Sequence, residues 1–247
     1  MRIFLIALAA LVVAAGAGLT LLPMSMAADV ASQRLPDFKF KEASGSVWDG
    51  ELKQVAYGKQ FIGDLKVKSD LLSLLTGKAS GVLGLTRDGF SGQANMIYGL
   101  TNGSLELKDM QLDGNTAMVP GMPAAIAKVD GKFSLKVKDL QFVEGACEAA
   151  NGEAWTDALT KVKVKGWVGP ELRGPVTCEG GKLQVQAKGK AVTGEDVLAI
   201  LSISPHLDME MTATVANATP AAVEALRDVG FVRDGDRLVL HHAMGGS

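Results

Sequence analysis

GSLELKDMQLDG, residues Gly103 to Gly114, carries the signal that decides the fold. Leu105 and Leu107 alternate with polar residues, as in a strand with one buried face; Met110 and Leu112 then resume the alternation one step out of phase. Side chains in a strand have period 2, so one extra residue sends every later side chain to the other face. The phase change therefore predicts a bulge or a turn at Lys108-Asp109. GKFSLKVKDLQF, residues Gly131 to Phe142, repeats the pattern, including the Lys-Asp pair at the shift. Two copies about 28 residues apart suggest an internal repeat of strand units.

Upstream, Gly81 to Phe90 reads as a strand running into an Asp88-Gly89 turn, and Phe61 to Lys68 as another strand. Between them, Ser69 to Gly77 has a capping residue, a leucine cluster and a glycine at the stop position. This predicts a helix of one to two turns. Its leucines cannot all face one side, so it is expected to plug an open end of the sheet. Gly45-Ser-Val-Trp-Asp-Gly50 reads as a short strand framed by glycines, with Trp48 packing over a sheet face. Ala27 to Gln33 reads as a short polar tether, and Pro36 ends any helix there.

Downstream, Asn115 to Val129 holds Pro120, Gly121 and Pro123 and is expected to loop, with at most a helical turn over Ala124 to Lys128. Lys161 to Lys165 alternates lysine and valine, the pattern of a solvated face or a blunted edge. Gly169-Pro170 and Gly174-Pro175 mark turns. Gly181 to Ala187 and Leu207 to Val215 alternate as half-buried strands, and Arg237 to His241 forms a last one after the Asp234-Gly235 turn. Thr193 to Ser202, with Glu195 and Asp196 in its first turn, reads as a short helix. Thr219 to Gly230 is the best helix of the body, with Thr219 as cap, Pro220 in the first position and Gly230 at the stop. The fold expected is mostly β: a curved antiparallel β-meander with two or three short helices, preceded by an N-terminal transmembrane helix.

That helix is the apolar run Ile3 to Leu22, which has no charge after Arg2. At about 1.5 Å per residue such a run matches the hydrocarbon thickness of a bilayer. Ser25-Met26-Ala27 before Ala28 also fits a signal-peptidase site, so residues 1–27 are a transmembrane anchor or a signal peptide. Both readings export the chain. The positive amino end is expected to stay in the cytoplasm, which makes this a single-pass cell inner membrane protein with residues 28–247 as a periplasmic β-rich domain. Outside the cytoplasm, cysteines tend to pair, and the chain has two, Cys147 and Cys178. A single disulfide is expected, closing a loop of roughly 30 residues and worth about 3 to 4 kcal/mol; two buried reduced thiols are the alternative.

The remaining composition argues against several chemistries. A net charge of −2, with acids and bases interspersed, gives no footprint for nucleic acid and no polybasic grip on lipid. His206, His241 and His242 are too scattered for a histidine-based site, and the last two, adjacent in a strand, point to opposite faces. The sequence has no GxSxG elbow, P-loop, Gly-rich nucleotide fingerprint, HExxH or CxxC. No catalytic, metal or cofactor residues are expected, no cofactor and no small-molecule substrate.

The residues assembled so far resemble protein N of the type II (general) secretion system. The similarity lies in the single amino-terminal anchor, Gly45 to Gly50 with Trp48, Leu71 to Gly77, and Gly103 to Leu112. It continues through Cys147 followed by Gly152 and Trp155, and Cys178 followed by Gly181 and Leu183. The resemblance implies a non-enzymatic accessory component of the inner-membrane platform, touching other secretion-system proteins in the periplasm and held to the membrane by its N-terminal helix. The basic strand at Lys161 to Lys165 and the short tail after His242 depart from it. A periplasmic lipid carrier of the AsmA type, with an apolar groove along a curled sheet, is the competing expectation; it requires an open apolar trough where a scaffold would have a filled core.

Overall fold

The computed structural model describes residues 22–34, 37–58, 60–70, 72–119, 128–164, 167–204 and 208–244. After helix α1 (Met24–Arg34) come strands β1 (Phe38–Lys39), β2 (Glu42–Gly45), β3 (Asp49–Tyr57), β4 (Gln60–Asp70), β5 (Lys78–Arg87), β6 (Phe90–Gly99), β7 (Leu105–Asn115), β8 (Lys132–Val143) and β9 (Ala146–Thr156). A small excursion, β10 (Lys163–Val164) and β11 (Trp167–Val168), precedes β12 (Leu172–Glu179), β13 (Lys182–Lys190), β14 (Asp196–Ile203) and β15 (Met209–Ala216). Helix α2 (Pro220–Arg227), β16 (Val232–Asp234) and β17 (Arg237–Met244) complete the chain. Fifteen of these strands form one open antiparallel sheet in the order β1-β3-β4-β5-β6-β7-β8-β9-β12-β13-β14-β15-β17-β16, with β2 also on β3. The expected meander is borne out.

The bulge predicted at Lys108-Asp109 is present, and its effect is visible in the packing. Asp109 takes φ +49°, and the ladder passes from Lys108↔Asp139 directly to Met110↔Val137, so Asp109 and Lys138 drop out of register together. Toward β6 the same step carries the pairing from Gln93↔Gln111 to Asn95↔Lys108. The extra residue returns Met110 to the face that holds Leu107, and Val137 to the face that holds Leu140. A row of small and apolar residues consequently runs across that face from Val67 and Leu83 through Val137, Gly152, Val176 and Val185 to Leu201 and Met211.

Two separate clusters cover this face. The larger one gathers Val137, Leu140, Val176, Val215 and Leu240 from the sheet beneath Leu159, Trp167 and the Ala222, Ala225 and Leu226 side of α2. Trp167 and Leu226 are fully buried, and burying a side chain like Leu226 contributes about 1.5–3 kcal/mol. The smaller cluster is Met24, Ala28, Leu52 and Val55, where α1 lies on β3. The stretch expected to be a tether is therefore helix with a buried side: Met24 and Ala28, four apart, share the face turned to the sheet.

Other expectations need correction. Thr193 to Ser202 is not a helix; Asp196–Ile203 is β14, paired along its length with β13 and β15, because Val197 to Ile203 is an apolar run that a two-sided ladder satisfies better than a helix end would. Gly174-Pro175 is no turn but lies inside β12. The ladder to β13 goes from Arg173↔Lys188 to Val176↔Val185 and skips both residues, so the missing proline N–H is not required there. A Cβ on Gly174 would lie 1.8 Å from the Gln186 carbonyl oxygen, and only glycine permits that approach. Gly45 and Gly50 do not frame a strand but pair across the β2–β3 hairpin, whose turn holds Trp48 half-buried. The leucine stretch is a 3₁₀ turn, Leu72–Thr76, that buries none of its residues and plugs nothing. Of the lysine-valine segment, Lys163–Val164 pairs with Trp167–Val168, and Lys161 ends a 3₁₀ turn.

The helical turn expected over Ala124 to Lys128 and the transmembrane helix expected over Ile3 to Leu22 lie outside the described residues, except Lys128 and Leu22. Among the described residues no helix is long and apolar enough to cross a membrane.

Candidate functional site

An open sheet leaves two edges and two faces on which partners can act. The first edge is blunted: β1 covers Ala56 and Tyr57 of β3, and β2 covers Gly50 to Lys53. The last is not. β17 pairs along its inner side with β15 from Leu238 to Met244, but on its outer side the three-residue β16 reaches only from Arg237 to Val239. Beyond Val239 no other described strand pairs with that side. His241 and His242 fall in this half of β17; His241 is exposed, bonded through Nδ1 to the Thr212 hydroxyl at 3.1 Å, and His242 is half-buried on the opposite face.

The apolar face is filled where the two clusters lie, and between them its glycines are overlain by neighbours. A Cβ on Gly92 would meet Leu112 Cδ2 at 2.3 Å. Three shallow concavities lie instead on the opposite, polar face, over Ser91 and Gln93, beside Asn151 and around Trp155. At the last of these, Trp155 Nε1 donates to Glu171 at 3.0 Å, while the Arg173 guanidinium sits 5.7 Å from the Trp155 ring and 3.3 Å from the same carboxylate. The Trp155 and Arg173 hydrogen bonds hold the Glu171 carboxyl below its ordinary range. The arrangement is open to solvent and orders side chains across the β9–β12 step.

Cys147 and Cys178 form the expected disulfide, with Cα atoms 5.5 Å apart. It ties the start of β9 to the end of β12, the one place where adjacent strands of the sheet are separated in sequence by the β10–β11 excursion. A second fastening was not legible in the sequence. Glu195 is fully buried and accepts from the hydroxyls of Thr193 and Thr219 and, at 3.4 Å, from the Thr219 N–H. Burial alone would raise its pKa; the threonine hydrogen bonds outweigh that and hold it below the ordinary glutamate value. Thr219 Oγ1 also accepts from Ala222 N, so one hydroxyl both caps α2 and fastens it to the β13–β14 loop.

Among the described residues no group of three His, Cys, Asp or Glu side chains is placed to hold a metal ion. The features of the surface are an uncovered strand edge, a stapled sheet and exposed apolar turns. No curated protein and no solved structure shows a significant match to the chain. The family described as type II secretion system (T2SS), protein N, matches residues 36–236, from just before β1 to the β16–β17 turn. With most of its length accounted for in this way, the chain belongs to the protein N family of the type II secretion system.

Proposed function

We propose that the protein is a non-enzymatic accessory component of the inner-membrane platform of a type II secretion system, anchored by its N-terminal apolar run and acting in the periplasm through contacts with other components. Membership of the family supports the assignment to the secretion machine. The observation that carries the mode of action is the edge of β17, where five of eight residues extend past the last residue paired to β16. Backbone N–H and C=O groups along such an edge are a template for an added strand, and main-chain pairing gives affinity without a pocket.

A photo-crosslinking amino acid at His241 or Arg233 tests this in cells that secrete through the machine. Adducts with other secretion-system proteins are expected, together with reduced export when the chain is deleted. Unchanged export on deletion, with no protein adducts from either position, overturns the reading.

A further inference from the structure

The 3₁₀ turn Leu72–Thr76 presents Leu72 at 70% and Leu75 at 84% exposure, with Leu100, 54% exposed, beside it through the Leu100 N–H to Gly77 carbonyl bond. Scattered apolar residues are ordinary on a surface; leucines this exposed in adjoining turns are not. Neither cluster of the core includes them. No charged residue lies between Leu72 and Gly77, and the flanking Asp70 and Lys78 cancel.

The position of this patch is informative. Leu22, the last residue of the apolar run, accepts from the Val47 N–H, and Pro23 bridges to Ser46. In the same turn Trp48 accepts from the Ser69 N–H, three residues before Leu72. Leu22 is thus fastened to the end of the sheet that carries the leucine turn, one strand spacing, about 5 Å, from the strand that leads into it. The chain leaves its apolar run at the same rim on which the most exposed leucines among the described residues stand.

We propose that the turn Leu72–Thr76 together with Leu100 is a second membrane contact, which seats this rim of the sheet on the lipid surface from which the chain emerges. The proposal rests on the reading of the apolar run as an anchor. Leucines enter the headgroup–acyl boundary while the polar backbone of the turn stays in the interface, and attachment depends on apolar area and not on salt. The strands then run away from the bilayer, and α2 and the β10–β11 hairpin belong to the connections at the opposite end of the sheet.

The test is the full chain in nanodiscs of phosphatidylethanolamine and phosphatidylglycerol doped with a diazirine phospholipid, with adducts mapped by mass spectrometry. Adducts are expected on residues 3–22 and also on Leu72–Thr76 and Leu100, persisting at high salt. In the double variant Leu72→Ser, Leu75→Ser those on the turn should fall roughly tenfold or more, with the thermal melt unchanged. Adducts confined to residues 3–22 overturn the proposal and leave the anchor standing. Adducts nowhere sink the anchor reading and the proposal with it. A turn that gains protein adducts in cells and no lipid adducts in nanodiscs is a protein-docking site, which also overturns the proposal.

Discussion

The two halves of the sheet solve the same problem with unequal means. From β8 onward the connections at one end are long enough to fold back: the β9–β12 link supplies Leu159 and Trp167, and the β15–β16 link supplies α2, which together cover the apolar face. From β3 to β7 every connection is a short turn, so no segment is spare to lie over the strands. Among the described residues, the cover over β3 and β4 is α1, whose cluster has four buried members, while β6 and β7 contribute only Ala94 and Met110 to the buried residues of the larger cluster. A one-sided sheet is therefore as stable as its connections allow, and stability should be concentrated in the later strands.

Substitutions that unload each cover separately can break this comparison. Trp167→Ala should cost the most, about 3–5 kcal/mol, because it empties the centre of the larger cluster; a chemical melt showing a loss below that of Leu52→Ala would contradict the asymmetry. Next, replacing Cys147 and Cys178 together by alanine should remove about 3–4 kcal/mol, and hydrogen exchange should place the loss in β9 to β15, leaving β3 to β5 nearly unchanged.

Thr219→Ala removes a cap and a partner of Glu195 and should cost about 1–2 kcal/mol. It should also flatten an acid transition. Glu195 has a lowered pKa in the folded state, so its contribution is complete above the ordinary value of 4.5 and is lost as pH falls through the lower folded value. Melts of Glu195→Gln and of the parent should converge at the acid end of that window. Smallest of all, Leu72→Ser with Leu75→Ser should stay within about 0.5 kcal/mol of the parent in a melt, because neither side chain is buried.

How far the sequence leads depends on whether a signal is local. The Asp109 bulge was readable because a phase change is written in adjacent residues. Helix α2 was readable because Thr219 and Pro220 stand side by side. The disulfide followed from a count of two and a compartment. Glu195, by contrast, looks like a helix-favouring acid at Thr193 to Ser202 until Thr219, 24 residues away, is known to reach it. Gly174-Pro175 misleads for the same reason: only the β13 backbone explains why glycine and proline are tolerated in a central strand. The leucine turn shows the reverse error, in which apolar residues imply burial and the structure leaves them exposed. The uncovered edge of β17 could not be read at all, since it depends on how far β16 extends.

The order of strands in the sheet has a kinetic consequence. Apart from the β9–β12 and β15–β17 steps, each long strand from β3 onward pairs with the one that precedes it in the chain. A polypeptide that emerges end-first during synthesis could zip row by row, with little entropy spent on closing distant loops. The Glu195–Thr219 fastening and the β15–β17 ladder wait until the chain is nearly complete.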